Sequence, residues 1–311
     1  MVNLKQQNYT TNHDKNQDMT TPLIKVEKLA KAMGQNIDIF FKREDVHPLG
    51  SHKGRSIPLM IEAHLQKNKS TNFVISSSGN AALAAGLYIK KINEQRADKI
   101  KLEIIVGEKI NEEKFSNLEK NFGNDENITI NKVSHPKKTA LQKEKTGNVI
   151  WLRQSTDEKA LLGYEELAVE LTDIPNLQAV FVPTSTGTTA VGLHLGFKKM
   201  SLRPQIHIIQ TTTCHPFVAM DPSLEELKSV AGAIVDKIGH RKLQVTNILD
   251  ESQGKGWIAT NEEILNAVKL VEETEDLKIS TNSALSVVGL KKDLTAGVEF
   301  TGSVVCLITG K

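Results

Sequence analysis

Ile37-Asp38-Ile39-Phe40-Phe41 runs on through Lys42-Arg43-Glu44-Asp45 to Gly50-Ser51-His52-Lys53-Gly54-Arg55, and apolar residues then recur at helical spacing from Ile57 to Leu65. An apolar extended run, a small-residue turn and an amphipathic helix make a strand–turn–helix unit. Lys53 stands at its junction. An amine fixed in such a place is chemically useful when deprotonated, or when it carries a carbonyl compound covalently as a Schiff base. A lone lysine is ordinarily a solvated surface group, so the weight falls on whether the pattern repeats.

It repeats twice, and a fourth strand ends in the same way. Phe73-Val74-Ile75 leads into Ser76-Ser77-Ser78-Gly79-Asn80 and a small-residue helix from Ala81 to Leu87. An ordinary N-cap needs one hydroxyl or amide. Four small polar residues in a row exceed that, and predict an anion-binding turn at a helix N-terminus. Ala179-Val180-Phe181-Val182 delivers Pro183-Thr184-Ser185-Thr186-Gly187-Thr188-Thr189 and a helix from Ala190 to Lys199. Hydroxyls and N–H groups at a helix start suit a phosphate, and no Gly-Lys-Ser/Thr closes the turn as in a Walker P-loop. The last strand, Ser303 to Ile308, ends in Thr309-Gly310-Lys311.

Working outward, Pro22 is read as opening a helix through Leu23, Val26, Leu29, Ala30 and Met33, which Gly34 ends. Residues 1–20 are polar and read as a disordered tail. Leu102–Val106, Ile128–Val133, Val149–Leu152 and Ile206–Ile209 read as strands, Glu112–Asn121 and Leu161–Leu171 as helices, and residues 134–147 as a basic loop. Residues 211–256 give no clear period and read as loops over the site. Thr260-Asn261-Glu262-Glu263 is a capping-box signature, and Ser280 to Leu285 caps the last long helix. Strands alternate with helices throughout. The fold class expected is α/β, with two open, mostly parallel sheets covered by helices and a ligand in the cleft between them, since such sheets bind ligands at their strands' carboxyl ends.

The 311 residues are 39% hydrophobic and 24% charged, with a net charge of +2, so a large core is available and no basic stripe marks a nucleic-acid binder. The two cysteines, Cys214 and Cys306, suggest neither a disulfide framework nor a zinc site. Cys214 and His215 are adjacent, so one metal ion cannot readily use both, and no metal is expected. No apolar run reaches membrane-spanning length and the N-terminus lacks an apolar signal core, so a cytoplasmic protein without membrane partners is expected. No Gly-x-Gly-x-x-Gly follows an early strand, which disfavours a nucleotide-binding Rossmann protein.

From residue 21 to 311 the chain resembles the fold-type II pyridoxal-phosphate (PLP) enzymes, among them threonine synthase, threonine/serine dehydratase, cysteine synthase and the tryptophan synthase β-chain. The resemblance is carried by Thr21-Pro22-Leu23, by Phe41 to Asp45 with Pro48 to Arg55, and by Ser77-Ser78-Gly79-Asn80. Gly187 to Gly192, Gly256 to Leu290 and Leu307 to Lys311 complete it, in family order. It implies that Lys53 carries PLP and serves as acid and base at the substrate Cα. Asn80 would contact the ring 3′ oxygen, and Ser77, Ser78 and Gly79 the substrate carboxylate. Ser185, Thr186, Gly187 and Thr188 would hold the phosphate, and Thr309 the pyridine nitrogen. A hydroxyl there, unlike a carboxylate, suits elimination and replacement at Cβ or Cγ. It further implies a homodimer acting on a small amino acid. It also implies a large domain, 21–71 plus 156–311, and a small mobile domain, 72–155.

Departures bear on the substrate. The phosphate turn has one glycine where the family usually has three or four, and Ala81 follows Asn80 where many members carry Thr or His. His52 is like the tryptophan synthase branch, and Ser280 to Ala284 lacks the family's Glu and Pro. Threonine synthase or dehydratase chemistry leads. Cysteine synthase-like replacement on an O-activated serine, and a PLP-binding but catalytically decayed regulatory protein, are the alternatives. A second phosphate, as threonine synthase needs, would fall to Lys114, Arg153, Lys159 or Arg55.

Overall fold

A computed structural model describes residues 19–68 and 70–310. Most of the proposed 1–20 tail, and Lys311 of the closing motif, lie outside the described residues. The first half of the chain comprises β1 (Leu23–Lys25), α1 (Glu27–Ala32), β2 (Ile39–Arg43), α2 (Lys53–Asn68), β3 (Asn72–Ser76), α3 (Asn80–Asn93), β4 (Lys101–Gly107), α4 (Glu112–Phe122), β5 (Ile128–Val133), α5 (Pro136–Lys145) and β6 (Ile150–Trp151). The second half comprises α6 (Leu162–Glu170), β7 (Leu177–Pro183), α7 (Thr188–Lys199), β8 (Gln205–Thr211), α8 (Lys242–Ser252), β9 (Gly256–Ala259), α9 (Asn261–Glu275), α10 (Thr281–Thr295) and β10 (Ser303–Ile308).

The strands form two sheets, one of six strands ordered β1-β2-β10-β7-β8-β9 and one of four ordered β5-β4-β3-β6. All pairings are parallel except β1 with β2. The six residues of β10 are all buried. Val304, Cys306 and Ile308 pack into the core on one face, Val305 and Leu307 into the core on the other. Cover on both faces is why this strand reads as a continuous apolar run.

Sheet order does the positioning. β10 lies between β2 and β7, so residues some 250 positions apart in sequence leave adjacent strand ends. Lys53 follows β2, Thr309 follows β10 and Ser185 follows β7. In the second sheet β3 lies between β4 and β6, and delivers Ser76 to Asn80 at its carboxyl end.

Three readings need correction. Leu23 to Lys25 is a strand, not the start of a helix, and Pro22 contributes its carbonyl to the Arg43 N–H. Residues 134–147 hold the helix α5, whose sole buried residue is Ala140, so no apolar period betrays it. The segment 211–256 holds the helix α8 and the start of β9, although residues 232–236 do line the cleft. The Thr260–Glu263 capping box forms as read.

The motif segment around Lys42, Glu44 and Arg55 makes a buried ionic cluster. Arg55 donates to Glu44 at 2.8 and 3.0 Å and to both oxygens of Glu170, and Lys42 donates to Glu170 at 2.5 Å. Thr21 closes the cluster, its hydroxyl donating to Glu44 at 2.5 Å and its carbonyl accepting from Lys42 at 2.6 Å. Against the upward pull of burial, Arg55 and then Lys42 hold the Glu170 carboxyl below its ordinary range. The cluster ties β2, α6 and the first turn of α2 together, in the same turn that Lys53 begins. This excludes Arg55 as a ligand for a second phosphate.

Candidate active site

A cavity of about 910 Å³ opens between the carboxyl ends of the two sheets. All ten residues singled out from the sequence line it: Lys53, Ser77, Ser78, Gly79, Asn80, Ser185, Thr186, Gly187, Thr188 and Thr309.

Lys53 begins α2. No carboxylate among the described residues pairs with its amine, and burial alone pulls its pKa from 10.5 down to about 8. Desolvation disfavours the charged form of a lysine. The amine thus loses its proton at a lower pH than a free lysine does.

The turn before α7 has the chemistry of an anion cradle. Gly187 is its N-cap residue, in the left-handed region at φ +80°, with no side chain capping the helix. The N–H groups of Ser185, Thr186, Gly187 and Thr188 find no acceptor among the described residues. A helix start leaves such donors free for an anion. The Thr186 and Thr188 hydroxyls lie 2.9 Å apart, and Thr188 also donates to the Gln154 carbonyl at 3.2 Å. Ser185 Oγ accepts from the Val235 and Asp236 N–H groups at 3.3 and 3.2 Å. A single glycine suffices because the other positions bring hydroxyls. At Gly187 a Cβ would sit 2.5 Å from Val245 Cγ2, besides the positive φ. Gly187→Ala is expected to cost about 1–2 kcal/mol of folding stability and on the order of tenfold in PLP affinity, read by denaturant midpoints and fluorescence titration.

At the opposite wall Gly79 is the N-cap residue of α3, with no side-chain cap, and its N–H donates to Ser77 Oγ at 3.3 Å. A Cβ on Gly79 would meet nothing within 4 Å, so the glycine fronts open space. At Gly310 a Cβ would lie 2.6 Å from Asn80 Nδ2, so the glycine after Thr309 admits the Asn80 amide.

Several lining residues carry no motif in the sequence. His135, Lys137 and Lys138 come from the start of α5, Trp151 from β6, and Asp236 and Asn282 from the other sheet's side. The basic run 134–147 was the signal available for the first three. Lys137 pairs with Asp236 at 3.2 Å. Lys159 instead pairs with Asp157 and does not line the cavity.

Two mostly parallel sheets meeting at their carboxyl ends, with a deprotonatable lysine and an anion cradle lining one cavity, define an α/β enzyme built to hold a phosphorylated carbonyl cofactor. Residues 16–310 match the family described as pyridoxal-phosphate dependent enzyme, and the chain belongs to that family. It is 26% identical to the threonine synthase of Methanosarcina acetivorans, over 94% of this chain and 75% of that one. It is 25% identical to the biosynthetic L-threonine dehydratase of Pasteurella multocida, over 88% of this chain and 52% of that one. Maize serine racemase shares the fold at a TM-score of 0.78 and 17% identity, over 94% and 88% of the two chains. The donor set fits the cofactor: a primary amine without a counter-ion, and unsatisfied N–H groups with two hydroxyls at a helix start. Among the described residues no helix is long and apolar enough to cross a membrane.

Proposed function

We propose that the protein eliminates or replaces a leaving group at Cβ or Cγ of a small amino acid whose side chain bears an anion, in the manner of a threonine synthase. The observation that carries this is the charge of the cavity. Lys114, Lys137, Lys138 and Arg153 line it besides Lys53, and Asp236 is its single carboxylate among the described residues. Arg153 lies 4.7 Å over the Trp151 ring and bonds His240 Nε2 at 2.5 Å. No described carboxylate pairs with it, so its charge is available to a ligand. Of the four cations named for a second phosphate, Lys114 and Arg153 remain.

In this reading Lys53 holds PLP and moves the proton at the substrate Cα. Ser77, Ser78 and Gly79 bind the substrate carboxylate, and Asn80 the ring 3′ oxygen. Ser185, Thr186, Gly187 and Thr188 hold the phosphate, and Thr309 faces the ring nitrogen. Bound PLP supplies the electron sink that makes the Cα proton labile. Once the incoming substrate amine has released it, the Lys53 amine would take that proton, and the cationic wall would attract the departing anion. Residues 72–155 form a small mobile domain that closes on 21–71 plus 156–311 and excludes water. Compaction in small-angle scattering on adding substrate tests this. Family resemblance supports a cytoplasmic homodimer, which sedimentation equilibrium tests in its second part.

The deciding assay is turnover of O-phosphohomoserine to threonine and phosphate. Controls are deamination of threonine and serine, and sulfide replacement on O-acetylserine. Arg153→Ala is expected to raise KM for O-phosphohomoserine on the order of tenfold to a hundredfold, the worth of a charge-assisted bond, with threonine deamination little changed. If all four substrates fail while PLP is bound, the reaction class is wrong. An absorption spectrum unmoved by any amino acid then supports the regulatory reading.

A further inference from the structure

His52 directly precedes Lys53 and lines the same cavity. Both of its donors go to one acceptor. The His52 peptide N–H reaches the Thr309 carbonyl at 2.9 Å, and its Nδ1 lies 2.8 Å from the same oxygen. A carbonyl only accepts, so Nδ1 bears the ring proton and Nε2 is bare. The ring is neutral: burial first, then the Lys53 charge, holds its pKa well below the usual histidine value.

The next carbonyl is clamped from the other side. Gly310 O accepts from Ser280 Oγ at 2.5 Å and Ser283 Oγ at 2.9 Å, both at the start of α10. An antiparallel bridge joins Ser51 to Gly310. The Thr309-Gly310 segment is thus held between Ser51 and His52, just before α2, and Ser280 and Ser283 at the start of α10, and among the described residues the only side chain on the α2 side that bonds it is His52.

We propose that His52 is a positioning residue that ties Thr309 to the base of Lys53, so that the Thr309 hydroxyl and the Lys53 amine keep one fixed relation. This rests on the reading that both residues face the cofactor ring. Without the ring hydrogen bond Thr309 O keeps only the peptide N–H, and the segment can pivot about the Ser280–Ser283 clamp. The α7 turn is on a different strand end and is untouched, so the disturbance is confined to the ring end of the cofactor.

Two variants test it in reconstituted protein. His52→Phe keeps an aromatic ring near Tyr164, whose centroid lies 5.9 Å away, and removes the donor. His52→Asn places an amide N–H where Nδ1 stood. The readouts are PLP affinity, the visible absorption band and the phosphorus resonance of bound PLP. His52→Phe is expected to weaken PLP binding by up to about tenfold, the worth of one hydrogen bond, and to shift the visible band with the phosphorus resonance unmoved. His52→Asn is expected to restore affinity to within about twofold of the parent. A phenylalanine variant with parental affinity and spectrum overturns the inference, as does a moved phosphorus resonance or an asparagine variant that restores nothing. Thr309→Val separates the two levels. A band shifted by Thr309→Val but not by His52→Phe defeats the inference alone; a band unmoved by either defeats the assignment of Thr309 as well.

Discussion

Lys53→Ala is expected to end covalent retention of PLP and to lower turnover by about 10³-fold, the range typical of a lost acid–base group. Borohydride should fix the cofactor to the peptide containing Lys53 in the parent and nowhere in the variant. The pH dependence follows from the amine's environment. With its pKa near 8, where a free lysine has 10.5, about a tenth of the amine is neutral at pH 7. Capture of PLP by cofactor-free protein should therefore quicken about tenfold per pH unit up to about 8 and level off above. A rate still climbing steeply at pH 10 would refute the depressed value. The same shift is a stability statement. Between pH 8 and 10.5 the unfolded chain binds more protons than the folded one, so stability rises with pH across that window. Below it, burying the charged form costs up to about 3 kcal/mol, at about 1.4 kcal/mol per pKa unit. Cofactor-free Lys53→Met should accordingly be more stable than the parent at pH 7, with the gap closing as pH approaches 10.5. Denaturant midpoints at pH 7 and pH 10 decide it.

That Lys53 was visible in the sequence, and most of its neighbours with it, follows from how parallel sheets are built. Two strands that end at the cleft, β3 and β7, are followed by runs of small polar residues, Ser76 to Asn80 and Thr184 to Thr188. Strands buried on both faces, such as β10, leave an unbroken apolar run whose bounds can be read directly. What failed to show obeys the same logic in reverse. Leu23 and Val26 share a helical period by coincidence, for one is in an antiparallel strand and the other precedes α1. The helix α5 buries only Ala140, because its lysines lie on exposed and cleft-facing sides. Arg153 gave no local sign of its partners, Trp151 aside, since His240 is 87 residues away. Contacts made only in the folded chain, such as the His52 ring with the Thr309 carbonyl and Lys137 with Asp236 across the cleft, carry no signature within their own segments.

The second large effect is on stability, at Arg55. Lys42, Glu44, Arg55 and Glu170 together are neutral, two cations against two anions, and Glu44 has no exposed surface. Removing one partner of a buried pair strands the other's charge, which costs about 3–5 kcal/mol. Arg55→Met is expected to fall in that range. Arg55→Lys should cost less but not nothing, because an ammonium cannot form the paired bonds that the guanidinium makes to Glu44 and Glu170 together. Charge balance makes a sharper demand. Arg55→Met leaves the cluster at −1, and adding Glu44→Gln returns it to neutral with Lys42 still on Glu170. The double variant should therefore recover at least half of the single loss, although it departs further from the parent sequence. If instead the two single costs simply add in the double, the cluster is a set of independent contacts. Its placement in the turn that Lys53 begins would then owe nothing to a shared charge balance.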